Sequence, residues 1–162
     1  MKKYLLPLFA FILLAVTSCQ KKIDIEKEKE AIKAVFEQEK DAFFKQDYVS
    51  MSNYWVNEPS SIKMFISSKG QTKYEGGDNI IASEKKETED NSWDRKLVTA
   101  TFTNYQIDIM NNSAWVLCET HWKGIIRNDT INDHVQTRIS VLKKVDGSWK
   151  FALMSIYSPP EK

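Results

Sequence analysis

Apolar and polar positions alternate along this chain in three successive regimes. Tyr4–Val16 (YLLPLFAFILLAV) is a continuous apolar run with no polar face. From Ile25 to about Lys45 no Gly or Pro interrupts the chain, and Ile32, Val35, Phe36 and Phe43 recur at the spacing of one helix face. Glu26, Lys29, Glu30 and Lys33 fall on the opposite side, where three-residue spacings allow weak ion pairs. Gln46-Asp47 breaks that helix, and Asp47 is a natural N-cap for a short second one over about Tyr48–Val56, ended by Glu58-Pro59-Ser60. Ile62–Ser67 (IKMFIS) predicts a strand, Lys69-Gly70 a turn, and Asn79–Glu87 a short polar helix after Gly76-Gly77-Asp78. Thr88–Asp94 is charged and is expected to be exposed.

Beyond this point the period changes to two. Leu97–Met110, Ser113–Arg127, Thr130–Val145 and Ser148–Ser158 are rich in β-formers. They are separated by Asn111-Asn112, Asn128-Asp129 and Asp146-Gly147, residues that tolerate the positive φ of tight hairpin turns. Helices followed by an antiparallel meander make the fold class α+β. A chain of 162 residues with 42% hydrophobic residues suits one domain and excludes a disordered one. A net charge of +1 offers no basic face for nucleic acid, so no nucleic-acid partner is expected.

The apolar run follows Lys2-Lys3 and, at 13 residues, is too short to span a bilayer but suits the core of a secretory signal. Val16-Thr17-Ser18-Cys19 resembles the lipobox of bacterial lipoproteins. That resemblance implies a signal peptide over 1–18, cleavage before Cys19 and acyl chains on Cys19. Residues 19–24 would then be a tether, and the bilayer a partner reached through lipid in the cell envelope. Cys118, left without a disulfide partner, reads as a small buried hydrophobe.

A second resemblance covers residues from about 25 to 158. The order of helices and strands, together with Lys45-Gln46-Asp47-Tyr48, Tyr74-Glu75-Gly76, Ala114-Trp115-Val116, Thr137-Arg138-Ile139-Ser140-Val141-Leu142 and Asp146-Gly147-Ser148-Trp149-Lys150, resembles the nuclear-transport-factor-2-like superfamily, in its SnoaL-like branch. This implies one domain over 25–160, a cone-shaped barrel of N-terminal helices packed on a strongly curved antiparallel sheet, with a pocket between them. The superfamily includes isomerases, cyclases, dehydratases and non-enzymatic binders, so the fold alone names no reaction.

Counting outward from two-residue turns places Glu119 opposite Arg138, His121 opposite Gln136, Arg138 opposite Ser155, and Gln136 opposite Tyr157. One face then gathers Trp115, Leu117, Glu119, His121, Gln136, Arg138, Ser155 and Tyr157, and the other Val116, Cys118, Thr120, Trp122, Val135, Thr137, Ile139, Met154 and Ile156. The mixed polar and aromatic face is expected to be concave, with Arg138, Glu119, His121, Tyr157, Gln136 and Ser155 as ligand-binding candidates. Tyr54 and Trp55 are candidates for closing its edge. In relatives an arginine matching Arg138 lines the cavity, and a guanidinium fork suits a carboxylate or another oxygen-rich small molecule. The second apolar face is expected to meet a copy of the same chain as a homodimer.

Each candidate also has a bland role. Glu119 and Arg138 across two strands make an ordinary cross-strand ion pair. His121 serves as well in a structural hydrogen bond. His121 and His134, thirteen residues apart, lack a zinc-ligand spacing, and no cofactor or metal is expected. The expected function is therefore an exported lipoprotein whose domain binds a small ligand or partner without catalysis. The alternative is an isomerase, cyclase or dehydratase working by acid–base chemistry in the same pocket. Against that alternative, Leu153 and Ser155 stand where many relatives carry paired histidines.

Overall fold

The structure, a computed structural model, describes residues 24–126 and 129–160. The apolar run, the lipobox with Cys19 and all of the tether but Asp24 lie outside the described residues. No described helix is long and apolar enough to cross a membrane.

Helix α1 (Ile25–Phe44) starts where the Asp24 carboxylate accepts the Lys27 amide, and α2 (Tyr48–Asn53) where Asp47 accepts that of Ser50. Both caps satisfy amides that have no partner within the helix. Strand β1 (Ile62–Ser67) turns into β2 (Gly70–Glu75), a polar strand that the sequence pattern did not predict. Helix α3 (Gly77–Glu89) and a 3-10 turn at Arg95–Leu97 lead into four long strands. These are β3 (Val98–Met110), β4 (Ser113–Ile126), β5 (Asp129–Val145) and β6 (Ser148–Ser158). The turn residues Asn111, Asp146 and Gly147 do adopt positive φ, at 55°, 50° and 81°.

All six strands form one sheet in the order β2-β1-β6-β5-β4-β3. Every neighbouring pair is antiparallel except β1 and β6, which run parallel from Ile62↔Leu153 to Ser67↔Ser158. The architecture is α+β, with the helices against one face of a curved sheet. Ile32, Val35, Phe36 and Ala42 of α1 are buried. Phe36 meets Phe102, Tyr105 and Phe151 edge-on, at centroid distances of 5.6, 5.7 and 5.0 Å. Such edge-to-face pairs add about 0.5–1.5 kcal/mol each beyond the burial of their area. At the other end of α1, Glu28 accepts from Lys144 Nζ at 2.5 Å and from Trp149 Nε1 at 2.7 Å.

Three bulges decide which side chains face the helices. Asn104 and Tyr105 of β3 lie opposite Cys118 alone, Asn132 and Asp133 of β5 opposite Lys123, and Ala152 of β6 is an extra residue between the partners of Val141 and Leu142. The last bulge leaves Phe151 free to exchange hydrogen bonds with the segment after α2, its N–H donating to Tyr54 O and its carbonyl accepting from Val56 N.

These bulges overturn the predicted register. Asp129 opens β5 and pairs with Ile126 instead of forming the turn, and beyond the bulge Arg138 lies opposite Cys118. Glu119 faces Thr137, and His121 faces Val135. On the other side Arg138 pairs with Ile156, while Tyr157 pairs with Thr137 and Ser155 with Ile139. Adjacent side chains point to opposite faces, so a shift of one residue divides the predicted site between the two.

Candidate functional site

The concave face carries Val116, Cys118, Thr120 and Trp122 from β4 beside Gln136, Arg138 and Ser140 from β5, set by the pairs Cys118↔Arg138 and Thr120↔Gln136. Between this face and the helices lies a cavity of about 330 Å³. Its apolar wall includes Phe43, Phe65, Phe102, Trp122, Met154 and Ile156. A few charged and polar groups interrupt that wall, the usual design of a small-molecule site.

Arg138 is the central one, 6% exposed, with its guanidinium 5.0 Å from the centroid of the Phe102 ring. Its Nη1 donates to Glu39 Oε2 over a long 3.5 Å, and its Nε has no partner. The buried Thr120 hydroxyl also lacks a partner. Gln136 is engaged, its Oε1 accepting from Trp122 Nε1 at 2.9 Å. Two unsatisfied donors thus line one wall. Each buried polar group left in that state costs about 1–3 kcal/mol, which an acceptor from outside would recover.

The helices add a second charged group. Lys63, on the inward side of β1, is 2% exposed and donates to Glu84 Oε1 at 2.8 Å and to both oxygens of Glu87 at 2.9 and 3.0 Å. Burial disfavours the Lys63 charge, but Glu87 and Glu84 outweigh it and hold the pKa above its ordinary value. Burial pushes the Glu84 carboxyl up to about 7 against the opposing pull of Lys63. The stretch 88–94, expected to be exposed, is so at Glu89, Asn91, Ser92 and Asp94, while its other residues turn toward the cavity mouth. Thr88 is buried, and Asp90 and Trp93 are half-buried. Arg95 follows them, its guanidinium 4.9 Å from the Trp93 ring centroid and 5.1 Å from that of Phe43. It donates to the carbonyls of Glu87 and Asp90 at 2.6 and 2.9 Å.

Of the predicted site residues, the cavity brings together Arg138 and Gln136. Glu119, His121, Ser155 and Tyr157 lie on the opposite, outward face, because each pairs with a neighbour of the opposite parity to Arg138. There His121 Nδ1 sits 3.0 Å from Asp133 Oδ1 and its Nε2 3.5 Å from Glu119 Oε2, while Asn104 Nδ2 donates to Glu119 at 2.6 Å. His134 belongs to the other face, opposite Trp122, with its Nε2 2.7 Å from Ser158 Oγ. The two histidines therefore do not converge, and among the described residues no cluster of three or more His, Cys, Asp or Glu is placed to hold a metal. Trp55 is a core residue packed on Phe151, and Tyr54 is half-buried against that core; neither lines the cavity. Cys118 is buried, and burial pushes its thiol up to about 11, which removes the thiolate needed for nucleophilic work.

Sequence reading missed Glu39, Lys63, Glu87, Thr120, Trp122, Phe102 and Arg95. One signal was available. Glu39 stands seven residues after Ile32 and three after Phe36, a carboxylate placed on the apolar stripe of α1.

No family model matches the chain, and no curated protein does. Solved structures do resemble it. An NTF2-like protein of unknown function from Pseudomonas putida KT2440 aligns with a TM-score of 0.66 at 9% identity, over 86% of this chain and 91% of that one. An NTF2-like superfamily protein from Salmonella enterica aligns with a TM-score of 0.61 at 14% identity, over 85% and 95%. A protein of the NTF2-like family from Streptomyces avermitilis, described as a candidate dehydratase, aligns with a TM-score of 0.63 at 11% identity, over 82% and 97%. At these identities the likeness speaks for the fold. With helices closing the concave side of a curved six-stranded sheet over a cavity, the chain has the NTF2-like cone fold.

Proposed function

We propose that this chain is an exported, lipid-anchored binding protein whose cavity holds a small oxygen-bearing molecule, its carboxylate on Arg138, without catalysing a reaction on it. One observation carries the reading: a buried guanidinium, braced on Phe102 and only weakly held by Glu39, with Nε unpartnered beside the unpartnered Thr120 hydroxyl. A guanidinium can present two N–H donors to the two oxygens of a carboxylate at once. The aromatic and aliphatic wall suits an apolar body attached to that carboxylate. Anchoring rests on the apolar run and Val16-Thr17-Ser18-Cys19, and a homodimer on the apolar residues of the mixed outward face, where Trp115, Ile139 and Tyr157 are 38%, 49% and 46% exposed.

Native mass spectrometry of the protein purified from its own host tests the binding role. The wild type is expected to carry a retained carboxylic acid that Arg138→Met loses; an empty wild type, or a variant that keeps the molecule, overturns the reading. For the anchor, labelled palmitate should enter the wild type and not Cys19→Ala. A second reading, acid–base isomerisation or dehydration, has in its favour the Glu39 carboxylate within 3.5 Å of Arg138 and the description of the Streptomyces avermitilis neighbour. Turnover of a bound acid that stops in Glu39→Gln would favour it.

A further inference from the structure

We infer that the cavity takes up a singly charged carboxylate together with one proton, which is bound by the buried carboxylates behind Arg138. This rests on the reading of Arg138 as the carboxylate anchor.

Among the described residues, the charged groups behind Arg138 are almost paired, with one carboxylate left over. Arg138 holds Glu39, and Lys63 holds both Glu84 and Glu87. Glu39 on α1 faces Lys63 on β1 and Glu84 on α3, so the five groups form one electrostatic unit. Three carboxylates thus share two cations. Of the described neighbours, Arg95 lies between Asp90 and Glu87, one cation to a further carboxylate, and at the rim Lys40 pairs with Glu37, so neither changes the difference. A carboxylate arriving on Arg138 would set four carboxylates against the same two cations.

In a site walled by Phe43, Phe65 and Phe102, water does little to screen that repulsion, and like charges held together bind a proton instead. Glu84 offers the place for it. Glu84 is fully buried, its Oε1 is taken by Lys63, and its Oε2 has no partner. The proton comes from solvent, an O–H bond forms at Glu84, and no other bond changes. Burial already holds the Glu84 carboxyl at about 7, so protonation comes readily near neutral pH. The same count selects the ligand class. A monocarboxylate is balanced by one proton, whereas a dicarboxylate or a phosphate dianion would need two, and among the described residues only one carboxylate has a buried oxygen without a partner.

trans-Cinnamate is a suitable probe, with its neutral amide as the control. Quenching of Trp93 and Trp122, which line the cavity, reads its Kd in the full chain between about pH 6 and 8.5. Calorimetry in HEPES and in Tris, buffers of different ionisation heat, counts the protons. The inference expects affinity to fall by up to about tenfold per pH unit above about pH 7.5 and to level off below about pH 6, with about one proton taken up near pH 8. The amide should show no pH slope. Glu84→Gln should bind cinnamate at the wild type's low-pH strength at every pH. Binding with no pH slope and no proton uptake overturns the inference and leaves Arg138 as the anchor. A slope that persists in Glu84→Gln overturns the assignment to Glu84. Should cinnamate not bind at any pH, the anchor itself fails, and the inference with it. If Glu84→Gln does not fold, the two-buffer proton count in the wild type still decides.

Discussion

Glu84 makes the stability of the empty protein depend on pH in an unusual direction. Its carboxyl is moved from 4.5 to about 7 by burial, with Lys63 opposing the shift. That distance corresponds to about 3 kcal/mol between the protonated and ionised folded states. Between those pH values the folded chain keeps a proton on Glu84 that the unfolded chain has lost. The stabilisation is therefore complete below pH 4.5 and disappears as pH rises through about 7. Glu28, held below the ordinary carboxylate range by its hydrogen bonds to Lys144 and Trp149, acts the other way. Its stabilisation is lost as pH falls, below the window that Glu84 occupies. Urea denaturation of the wild type and of Glu84→Gln from about pH 5 to 8 isolates the effect, since groups outside the Lys63 cluster cancel between the two. Near pH 5 the two should be similar, and near pH 8 the variant should be the more stable by about 3 kcal/mol. A wild-type-to-variant difference that stays constant across the range would refute the reasoning.

Three other outcomes follow from the geometry. Gly124 sits in β4 at φ +132°, and a Cβ there would lie 2.0 Å from Leu97 O and 2.8 Å from Val98 Cα. Gly124→Ala should therefore cost about 3 kcal/mol in urea denaturation, and a loss under about 1 kcal/mol would contradict that placement. Cys118, buried with its thiol at about 11, should react with a thiol reagent only at the rate of unfolding; fast native-state labelling would show an open path to it. If the outward face pairs with a second copy, Ile139→Asp should convert a dimer to a folded monomer in sedimentation, and a monomeric wild type at about 50 µM would remove that proposal.

The parts of the fold that could be read from sequence were those governed by local chemistry. Asp47 caps its helix because a short carboxylate reaches a free amide, and the Asn111-Asn112 and Asp146-Gly147 turns form because those residues accept positive φ. Strand β2 (GQTKYE) stayed hidden because an exposed edge strand carries no apolar alternation to announce it. The site failed for a different reason. Apolar side chains line both faces of β4 and β5, so hydrophobicity could not say which parity looks inward, and the register rested on turns alone. One residue of slip at the bulge opposite Lys123 and another at Ala152 were enough to move Glu119, His121, Ser155 and Tyr157 away from Arg138. Gly124, a glycine inside a β-rich run, was the available hint of irregular pairing. On β1 the apolar Ile62, Met64 and Ile66 face outward, and Lys63 with Phe65 faces the cavity, the reverse of what an alternating strand usually implies. Lys63 becomes intelligible only once α3 brings Glu84 and Glu87 to it.

The position of β6 in the sheet sets the order in which this molecule can be completed. The sixth strand of the sheet in chain order lies between β1 and β5, so until it is in place the β1–β2 hairpin and the β3–β5 meander share no edge. Lys63 and Arg138, which belong to those two halves, acquire a common wall only when residues 148–158 are laid in. Without this segment the two halves would be joined through the helices alone. The wall of the cavity is thus completed only by the strand that joins the two halves of the sheet.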